Sequence, residues 1–378
     1  MVRRGRIERV VRTADCPTTS ARRFGTLLPG LVDPHVHLSF DAGERLEPPR
    51  SPDAMERLVE RACDRMRKLA RVGVTMVRDL GAPAGVCRRL DEESSSSSSS
   101  LPRFLGSSQP LTVPGGHLAS FGSPVTSARE AREAVRRCVA DGAKVVKVIM
   151  TGGRLTPGTE MGQACLSTEL AVGIVDAAHD AGRPVAAHVH GTEGIRVAVA
   201  AGVDTLEHCS WTDRTGRVRR PVAGLIAEIR QRGQVIVTAG PLPPTLAHSS
   251  HGEFGVDRRG RRQVQLWKNA RGAADRGAAV AIGTDSFFGT FPDASDLVQR
   301  AILMNRLAGW PSLDVLEAMT GTAARACAEP GRGELREGWS ADLIGVAGDP
   351  IDDISALREV RLVLRDGQVV HDAVSACA

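Results

Sequence analysis

The sequence contains no tyrosine, and aromatic residues make up only 3% of its 378 residues. Proteins that bind single-stranded nucleic acids stack the bases on aromatic side chains that lie among basic ones. Two arginine-rich stretches are present, RVRR at 217–220 and DRRGRR at 257–262, but neither is interleaved with aromatic residues. We interpret both as solvated loops and expect no nucleic-acid partner, although the net charge is +5.

Long apolar runs are also absent. No stretch approaches the ~20 apolar residues that a membrane-spanning helix needs. The N-terminus, MVRRGRIERV, has arginines without the apolar segment that would follow them in a secretory signal. We therefore predict a cytoplasmic protein without membrane association.

The eight cysteines are scattered along the chain and form no C-x-x-C pair. This pattern fits neither a disulfide framework nor a thiolate zinc site. We expect reduced thiols, several of them buried.

Short apolar runs alternate with helical patterns through most of the chain. For example, Ser51 can cap a helix that begins at Pro52 and ends at Gly73, and GVTMVRDL (73–80) follows as a strand. Such alternation predicts βα units around a parallel sheet. Eight such strands indicate an α/β protein with a (β/α)8 TIM barrel, whose active site lies at the C-terminal ends of the strands. The predicted strands are 31–38, 73–80, 103–108, 144–150, 183–190, 203–208, 234–240 and 278–285.

The two ends of the chain differ from the barrel pattern. The barrel is expected to occupy residues 27–330. After Gly331 the sequence changes to short strands with an Asp366–Gly367 turn, which predicts a β module at 331–378. Residues 1–26, with GRIERV as a strand, are expected to complete this module as a small composite β-sandwich.

Seven consecutive serines, Ser94–Ser100, interrupt the pattern between the second helix and the third strand. A connection of this kind lies at the barrel face opposite the active site. We interpret the run as a flexible loop away from the chemistry.

Polar residues collect at the predicted strand ends. A strand has a period of two, so His35 and His37 share one face of their strand, as do His188 and His190 of theirs. Imidazole and carboxylate are the usual ligands of zinc and its neighbours, and an apolar barrel would not otherwise gather so many polar groups. We therefore predict a metal site there. The residues at or just past strand ends are His35, His37, His117, Lys147, His188, His190, His208 and Asp285. The histidines that keep an ordinary structural interpretation are His179, His248, His251 and His371.

Five ordered motifs, VDPHVH, VVKVIMTGG, VAAHVHG, LEHCS and AIGTDS, resemble the metal-dependent amidohydrolase superfamily. The sequence is most similar to its imidazolonepropionase-like branch, which includes Xaa-amino-acid dipeptidases, carboxypeptidases and ochratoxinase-type amidases. The resemblance runs over nearly the whole chain and includes LREGWSADLIGVAGDP at 335–350, which is similar to that family's small β-sandwich.

The resemblance implies a centre of two divalent metal ions, with zinc as the expected metal. His35, His37 and Asp285 would hold the more buried ion. His188 and His208 would hold the more exposed one. Lys147, carboxylated by CO2 to a carbamate, would bridge the two ions. Lys144 is the alternative lysine, but it points to the other face of the strand, and the K-x-[IV]-M-x-x-G-G pattern favours Lys147.

The resemblance also implies a reaction. A metal-bridging hydroxide would attack an amide carbonyl of a peptide or N-acyl amino acid, and Asp285 would accept the proton and pass it to the leaving nitrogen. His190 is our candidate for hydrogen-bonding the carbonyl or the developing oxyanion, and its alternative is a structural partner of a neighbouring loop. We expect a small-molecule substrate and a homo-oligomer.

Three further residues are candidate substrate contacts. His117 lies in PGGHLASFG (114–122), and Arg154 lies in the glycine-rich TGGRLTPGTEMG (151–162). Trp211 could form an apolar wall of the site or simply pack in the core. Family carboxypeptidases commonly place a tyrosine near the substrate carboxylate, so the lack of tyrosine counts against that specificity.

Two other functions compete with this prediction. A mononuclear cyclic-amide hydrolase or deaminase of the imidazolonepropionase type generally lacks the strand-four lysine, so Lys147 favours two metals. A non-catalytic metal-binding barrel would have lost ligands, whereas every expected ligand type is present here.

Overall fold

A computed structural model describes residues 1–11, 22–41, 47–96, 100–247, 257–286 and 296–373 of the chain. Eight parallel strands form the barrel, as predicted, and both faces of most of them are buried. Near-continuous Val, Ile and Leu runs fit strands that are covered on both faces. The barrel strands are β4 (Leu31–Val36), β5 (Val74–Asp79), β6 (Arg103–Gly106), β9 (Val146–Ile149), β10 (Val185–Gly191), β11 (Thr205–Thr212), β12 (Val235–Thr238) and β13 (Ala279–Ile282).

Backbone hydrogen bonds close the barrel at two seams. The amide of Lys144 donates to the carbonyl of Gly106 at 2.9 Å, which joins β9 to β6. The amide of Asp285 donates to the carbonyl of His35 at 2.7 Å, and the amide of His37 donates to Ser286 at 3.1 Å. The second seam therefore brings the residues that follow β13 next to the end of β4. Two short strands, β7 (Leu111–Thr112) and β8 (Ser123–Pro124), continue the sheet beside β9.

Helices cover the outside of the barrel because each presents an apolar stripe to the strands. In the first of them, the Ser51 hydroxyl caps the helix by accepting a hydrogen bond from the Ala54 amide at 3.1 Å, and Met66 and Leu69 are buried. The helices are α1 (Pro52–Arg71), α2 (Val86–Ser95), α3 (Ala128–Ala140), α4 (Thr168–Asp180), α5 (Thr192–Ala201), α6 (Ala223–Gln231), α7 (Pro244–Ala247), α8 (Arg258–Ala274), α9 (Asp296–Ala308), α10 (Ser312–Ala318) and α11 (Gly321–Ala326). Within the described ranges, no helix combines the length and the apolar composition that crossing a bilayer would require.

The two ends of the chain form an antiparallel sheet beside the barrel. Its strands, in spatial order, are β16 (Gln368–Asp372), β15 (Val360–Arg365), β14 (Leu343–Val346) and β3 (Thr26–Pro29). The strand β3 continues to Pro29, three residues past the boundary expected after residue 26. A 3-10 turn (Ile354–Arg358) connects β14 to β15.

The N-terminal residues pair mainly with each other. The strands β1 (Val2–Arg3) and β2 (Arg6–Ile7) form a two-stranded hairpin. Among residues 1–11, only Arg6 makes a bridge to the C-terminal segment, at Ser340. The side chain of Ile7 is buried against Ala341 and Leu343. The expected pairing of GRIERV is therefore reduced to this one bridge and its flanking hydrogen bonds.

The serine run is not simply a loop. Ser94 and Ser95 are the last residues of α2, and residues 97–99 lie outside the described part of the chain. The Ser94 hydroxyl is buried, donates to the carbonyl of Pro102 at 2.8 Å and accepts from the amide of Phe104 at 3.0 Å. Although serine is common in loops, these two hydrogen bonds to the segment after the run hold Ser94 at the end of the helix.

Candidate metal centre

A cavity of about 400 Å³ opens at the C-terminal ends of the barrel strands. All six metal ligands predicted from the sequence line it, and so do the candidate substrate contacts His117 and Arg154. Its polar lining residues are His35, His37, His117, Lys147, Arg154, His188, His190, His208, Ser210, Arg259, Arg262, Gln263 and Asp285.

Three of these residues form a group that we call the carboxylate cluster, namely His35, His37 and Asp285. The Nε2 atoms of His35 and His37 lie 3.4 and 3.3 Å from the same Asp285 oxygen, Oδ1. Burial raises the pKa of Asp285, but the hydrogen bond from His37 and the charge of His208 outweigh it, so the pKa lies below its ordinary value. Asp285 has a φ of +58°, a conformation that is uncommon outside glycine.

A second group, the histidine cluster, consists of His188, His190 and His208. Nε2 of His208 lies 3.0 Å from Nδ1 of His188, and the His190 ring stacks on His208 with centroids 4.6 Å apart. Potential ligand atoms lie within 4.8 Å of one another in each cluster. The His35 and His208 rings, one from each cluster, have centroids 4.8 Å apart, so the clusters are neighbours.

Hydrogen bonds to carbonyls fix the tautomers in the histidine cluster. Nε2 of His188 lies 3.3 Å from the carbonyl of Gly152, and Nδ1 of His208 lies 3.3 Å from the carbonyl of Ala239. Because a carbonyl only accepts, these nitrogens must carry the hydrogens in neutral rings. The lone pairs of His188 Nδ1 and His208 Nε2 then face each other, with 3.0 Å between the two nitrogens. Such an arrangement is favourable only with a cation or a proton between them.

The carboxylate cluster shows the same arrangement. Nδ1 of His35 donates to Oε2 of Glu207 at 2.7 Å, and its buried Nε2 has no hydrogen-bond partner among the residues that the structure describes. Nδ1 of His37 lies 3.4 Å from the carbonyl of Gly81. The lone pair of His35 Nε2 therefore faces the carboxylate of Asp285, to which His37 Nε2 is the donor. A lone pair and a carboxylate side by side are two acceptors that fit a bound cation.

The pKa values of three histidines in the cavity are lowered. Burial, together with the positive charge of Lys147 and neighbouring imidazoles, lowers the pKa of His35 and of His188 well below the ordinary 6.5. Burial and the charge of His208 lower the pKa of His190 in the same direction. A neutral imidazole is the form that can coordinate a metal.

Lys147 extends from β9 into the cavity and is only 1% exposed. Burial lowers the pKa of its amine to about 8, although Glu207 and Asp285 oppose this shift. The alternative lysine, Lys144, lies elsewhere, since its amine is half exposed and pairs with Asp91 at 3.1 Å.

Glu207 is a residue of the site that the sequence interpretation missed. It is fully buried, and besides His35 it accepts from Nη2 of Arg78 at 2.8 Å and from the Thr205 hydroxyl at 2.5 Å. Adjacent strand residues normally face opposite ways, but His208 has a φ of +66°, which breaks the alternation. Both Glu207 and His208 therefore face the barrel interior, and the LEH motif is the only sequence feature that could have indicated this.

Asp33 was also missed. Its carboxylate accepts hydrogen bonds from the Thr284 amide at 3.1 Å, the Thr284 hydroxyl at 2.6 Å and the His35 amide at 3.2 Å. Burial raises its pKa to about 7, against the lowering effect of the Thr284 hydrogen bonds. These contacts hold the backbone on either side of the carboxylate cluster in place.

The candidate substrate contacts His117 and Trp211 lie in different surroundings. Nδ1 of His117 is bonded to the Thr156 hydroxyl at 3.0 Å, and its ring packs on Gly153, where a Cβ atom would lie 2.4 Å from Nε2. Glycine is therefore required at that position. Trp211, in contrast, is 1% exposed, packs in the hydrophobic core and does not line the cavity. The prediction that it contacts the substrate is therefore wrong.

Two other sequence interpretations are resolved. His179 is a surface residue whose Nε2 lies 2.8 Å from Asp204, and His371 lies in β16, whereas His248 and His251 are outside the described residues. The stretch 257–262 is not a solvated loop, because Asp257 caps α8 and Arg259 and Arg262 in its first turns line the cavity.

Comparisons with known proteins give a family and several similar structures. The sequence profile described as "Amidohydrolase family" matches residues 26–370. The chain is 28% identical over 383 aligned residues to an ochratoxinase of Aspergillus niger, which covers 92% of this chain and 75% of the relative. The structure of a Xaa-Pro dipeptidase with methionine in its active site matches with a TM-score of 0.74 at 25% identity, over 91% of this chain and 86% of that one. The structure of a prolidase complexed with N-methylphosphonate-L-proline matches with a TM-score of 0.77 at 25% identity, over 98% of this chain and 94% of that one.

Proposed function

The chain belongs to the amidohydrolase family, and we propose that it cleaves the amide bond of a peptide or N-acyl amino acid using two divalent cations, expected to be zinc. The observation that carries this proposal is the convergence of acceptor atoms in two neighbouring clusters of one cavity. Hydrogen bonds on the far side of the His35, His188 and His208 rings leave the inner lone pair of each ring for a cation.

Within this proposal, the residues of the carboxylate cluster hold one cation, and His188 and His208 hold the other. Lys147 is the candidate to serve both sites because it lines the same cavity as the two clusters. A carbamate formed on its amine by CO2 would offer two anionic oxygens where the histidine cluster has only neutral donors. Bound divalent cations would supply a water molecule of lowered pKa and polarise the scissile carbonyl.

The protein's own residues then move the protons. Asp285, the ionised group of the site, accepts the proton of the attacking water and delivers it to the leaving nitrogen. Nδ1 of His190 is bonded to the Ser210 hydroxyl at 2.9 Å. With Ser210 as the donor, Nε2 of His190 carries the hydrogen and can donate it to the carbonyl oxygen as negative charge develops there.

Two of the similar proteins support an amide substrate, since one is an ochratoxinase and one is a Xaa-Pro dipeptidase. The test is a panel of dipeptides and N-acetyl amino acids, measured with protein as purified, after chelation and after zinc addition. We expect hydrolysis of at least one compound, its loss on chelation and its recovery with zinc. Hydrolysis that persists after complete removal of metal would contradict the proposal.

A second candidate is a mononuclear hydrolase in which His188, His190 and His208 hold one cation. The close approach of the three rings favours it. Cation content separates the two candidates, because the mononuclear enzyme needs one cation and tolerates loss of Lys147.

A further inference from the structure

Three arginines line the cavity beside the donor clusters, and we call them the arginine trio. Arg154 lies in the loop after β9, while Arg259 and Arg262 lie one turn apart at the start of α8. Among the described residues, none of the three forms an ion pair, although Nη1 of Arg262 donates to the carbonyl of Gly216 at 3.0 Å. Arg262 is thereby held against the loop after β11, and its other guanidinium nitrogens have no partner within the described part of the chain.

The trio is crowded with like charge. Arg154 and Arg259 are exposed at the mouth of the cavity, and partial desolvation together with the charge of Arg259 lowers the pKa of Arg154. Burial and then the charge of Arg154 lower the pKa of Arg262. Asp285 is the only carboxylate among the described lining residues, and it belongs to the carboxylate cluster. No described acidic side chain of the cavity wall is therefore left to neutralise the trio.

The position of two of these arginines on α8 is itself electrostatically unfavourable. The N-terminus of a helix carries partial positive charge and favours acidic residues. The first turn of α8 has no acidic residue, and Arg258, Arg259, Arg261 and Arg262 occupy its first two turns. Only Asp257, whose side chain accepts from the Gly260 amide at 2.7 Å, opposes this charge. A bound anion would relieve it.

Resting on the proposed function, we infer that the substrate is an amide that carries two carboxylates, such as an N-acyl acidic amino acid. One carboxylate can be held by one guanidinium through two parallel hydrogen bonds, so three unpaired guanidinium groups exceed what a single carboxylate requires. The chain has no tyrosine that could bind a carboxylate instead. The cavity, at about 400 Å³, falls within the size range of small-ligand pockets.

The binding test uses glutarate and its monoamide, glutaramate, which have the same shape but differ by one charge. Isothermal titration of the full chain, as purified with its metals, needs no turnover. We expect glutarate to bind at least about tenfold more tightly than glutaramate at low ionic strength. This preference should shrink when salt is raised to about 300 mM, because salt screens partly exposed charges. Equal affinity for the two compounds, or equal affinity for inorganic phosphate and glutarate, would overturn the inference.

Variants assign the preference to the trio. The double variant Arg259→Gln/Arg262→Gln should bring the glutarate-to-glutaramate ratio close to one. The matched control is Arg258→Gln, which removes the same charge from the same helix turn but does not line the cavity. It should leave the ratio within about twofold of the parent. An unchanged ratio in the double variant would contradict the assignment.

Kinetics separate this inference from the proposed function. N-acetyl-L-glutamate and N-acetyl-L-glutamine are compared by kcat/KM, and we expect the glutamate compound to be preferred. Hydrolysis of both at equal efficiency would leave the proposed function standing and overturn the dicarboxylate preference. Preferential glutarate binding without hydrolysis of any amide would support the anion site and contradict the proposed function.

Discussion

The carboxylate cluster and the histidine cluster share one cavity but differ in charge. Asp285 gives the first cluster an ionised carboxylate, whose pKa lies below its ordinary value. The second consists of three imidazoles, and burial lowers the pKa of each of them. The first cluster therefore offers a cation both lone pairs and charge, whereas the second offers lone pairs alone.

This difference gives the buried lysine a role. A dication held only by neutral imidazoles leaves its charge uncompensated in a site where water is largely excluded. A carbamate on Lys147 would supply anionic oxygens beside the histidine cluster, in addition to what Asp285 gives its own cluster. Substitutions that remove charge from one cluster and not from the other test this comparison.

The largest expected effect is that of Asp285→Asn, which keeps the size of the side chain and removes its charge. We expect kcat to fall by about 10³-fold or more, because both the proton acceptor and the anion of the carboxylate cluster are lost. Cation content should fall toward about one per chain, since the histidine cluster and Lys147 remain. The matched control is Asp180→Asn, at the exposed end of α4. Activity of Asp285→Asn within tenfold of the parent would contradict Asp285 as the proton acceptor.

A smaller effect is expected from Glu207→Gln, which weakens the support of His35. The buried Arg78 loses its anionic partner, and the hydrogen bond that orients the His35 ring is weakened. Loss of such an outer partner costs about 10–100-fold in metal affinity. Competition with a chelating indicator measures this affinity, and urea unfolding shows whether the variant is folded. Glu193→Gln, at an exposed ion pair with Arg214, is the control. Unchanged affinity in Glu207→Gln would show that Glu207 has no positioning role.

The smallest expected effect is the pH dependence of the free energy of unfolding of the metal-free protein. The pKa of His117 is lowered by burial from 6.5 to about 3, so the unfolded chain binds more protons than the folded chain between these values. The free energy of unfolding should therefore fall as the pH falls from 7 to 5. His35 and His188, whose pKa values are also lowered, act in the same direction. The buried carboxyls act in the opposite one, since burial raises the pKa of Asp33 from 3.8 to about 7 and also raises the pKa values of Asp79 and Asp342.

Urea unfolding at pH 7 and pH 5 measures this dependence. Five histidines with a lowered pKa stand against three buried carboxyls with a raised one, so we expect a net loss of stability on acidification. His117→Gln should reduce the loss, and the exposed His179→Gln should not. A parent protein that is equally stable at both pH values would be inconsistent with neutral buried histidines.

Local sequence patterns predicted much of this molecule. The barrel was predictable because strand and helix periods alternate and because residues such as Ser51 cap helices in the expected way. The histidine pairs were recognisable because a period of two places both members on one face. Cytoplasmic location and a homo-oligomer stay predictions.

Contacts between distant segments could not be predicted. Glu207 contacts His35 from another strand of the barrel, which no local pattern indicates. The backbone of His208 is not extended, so strand alternation could not predict that Glu207 and His208 face the same side. The register of α8 against the barrel turns Arg259 toward the cavity, although its sequence is typical of a solvated surface. The ring of Trp211 likewise packs in the hydrophobic core.

The central claim is that Lys147 joins the two clusters into one binuclear centre. The direct measurement is the cation content of the parent, Lys147→Ala and Lys144→Ala, determined by mass spectrometry after zinc loading in bicarbonate buffer and removal of free metal. We predict about two cations per chain in the parent and in Lys144→Ala, and fewer than about one in Lys147→Ala, together with loss of amide hydrolysis. A Lys147→Ala protein that keeps two cations and full activity would contradict the claim.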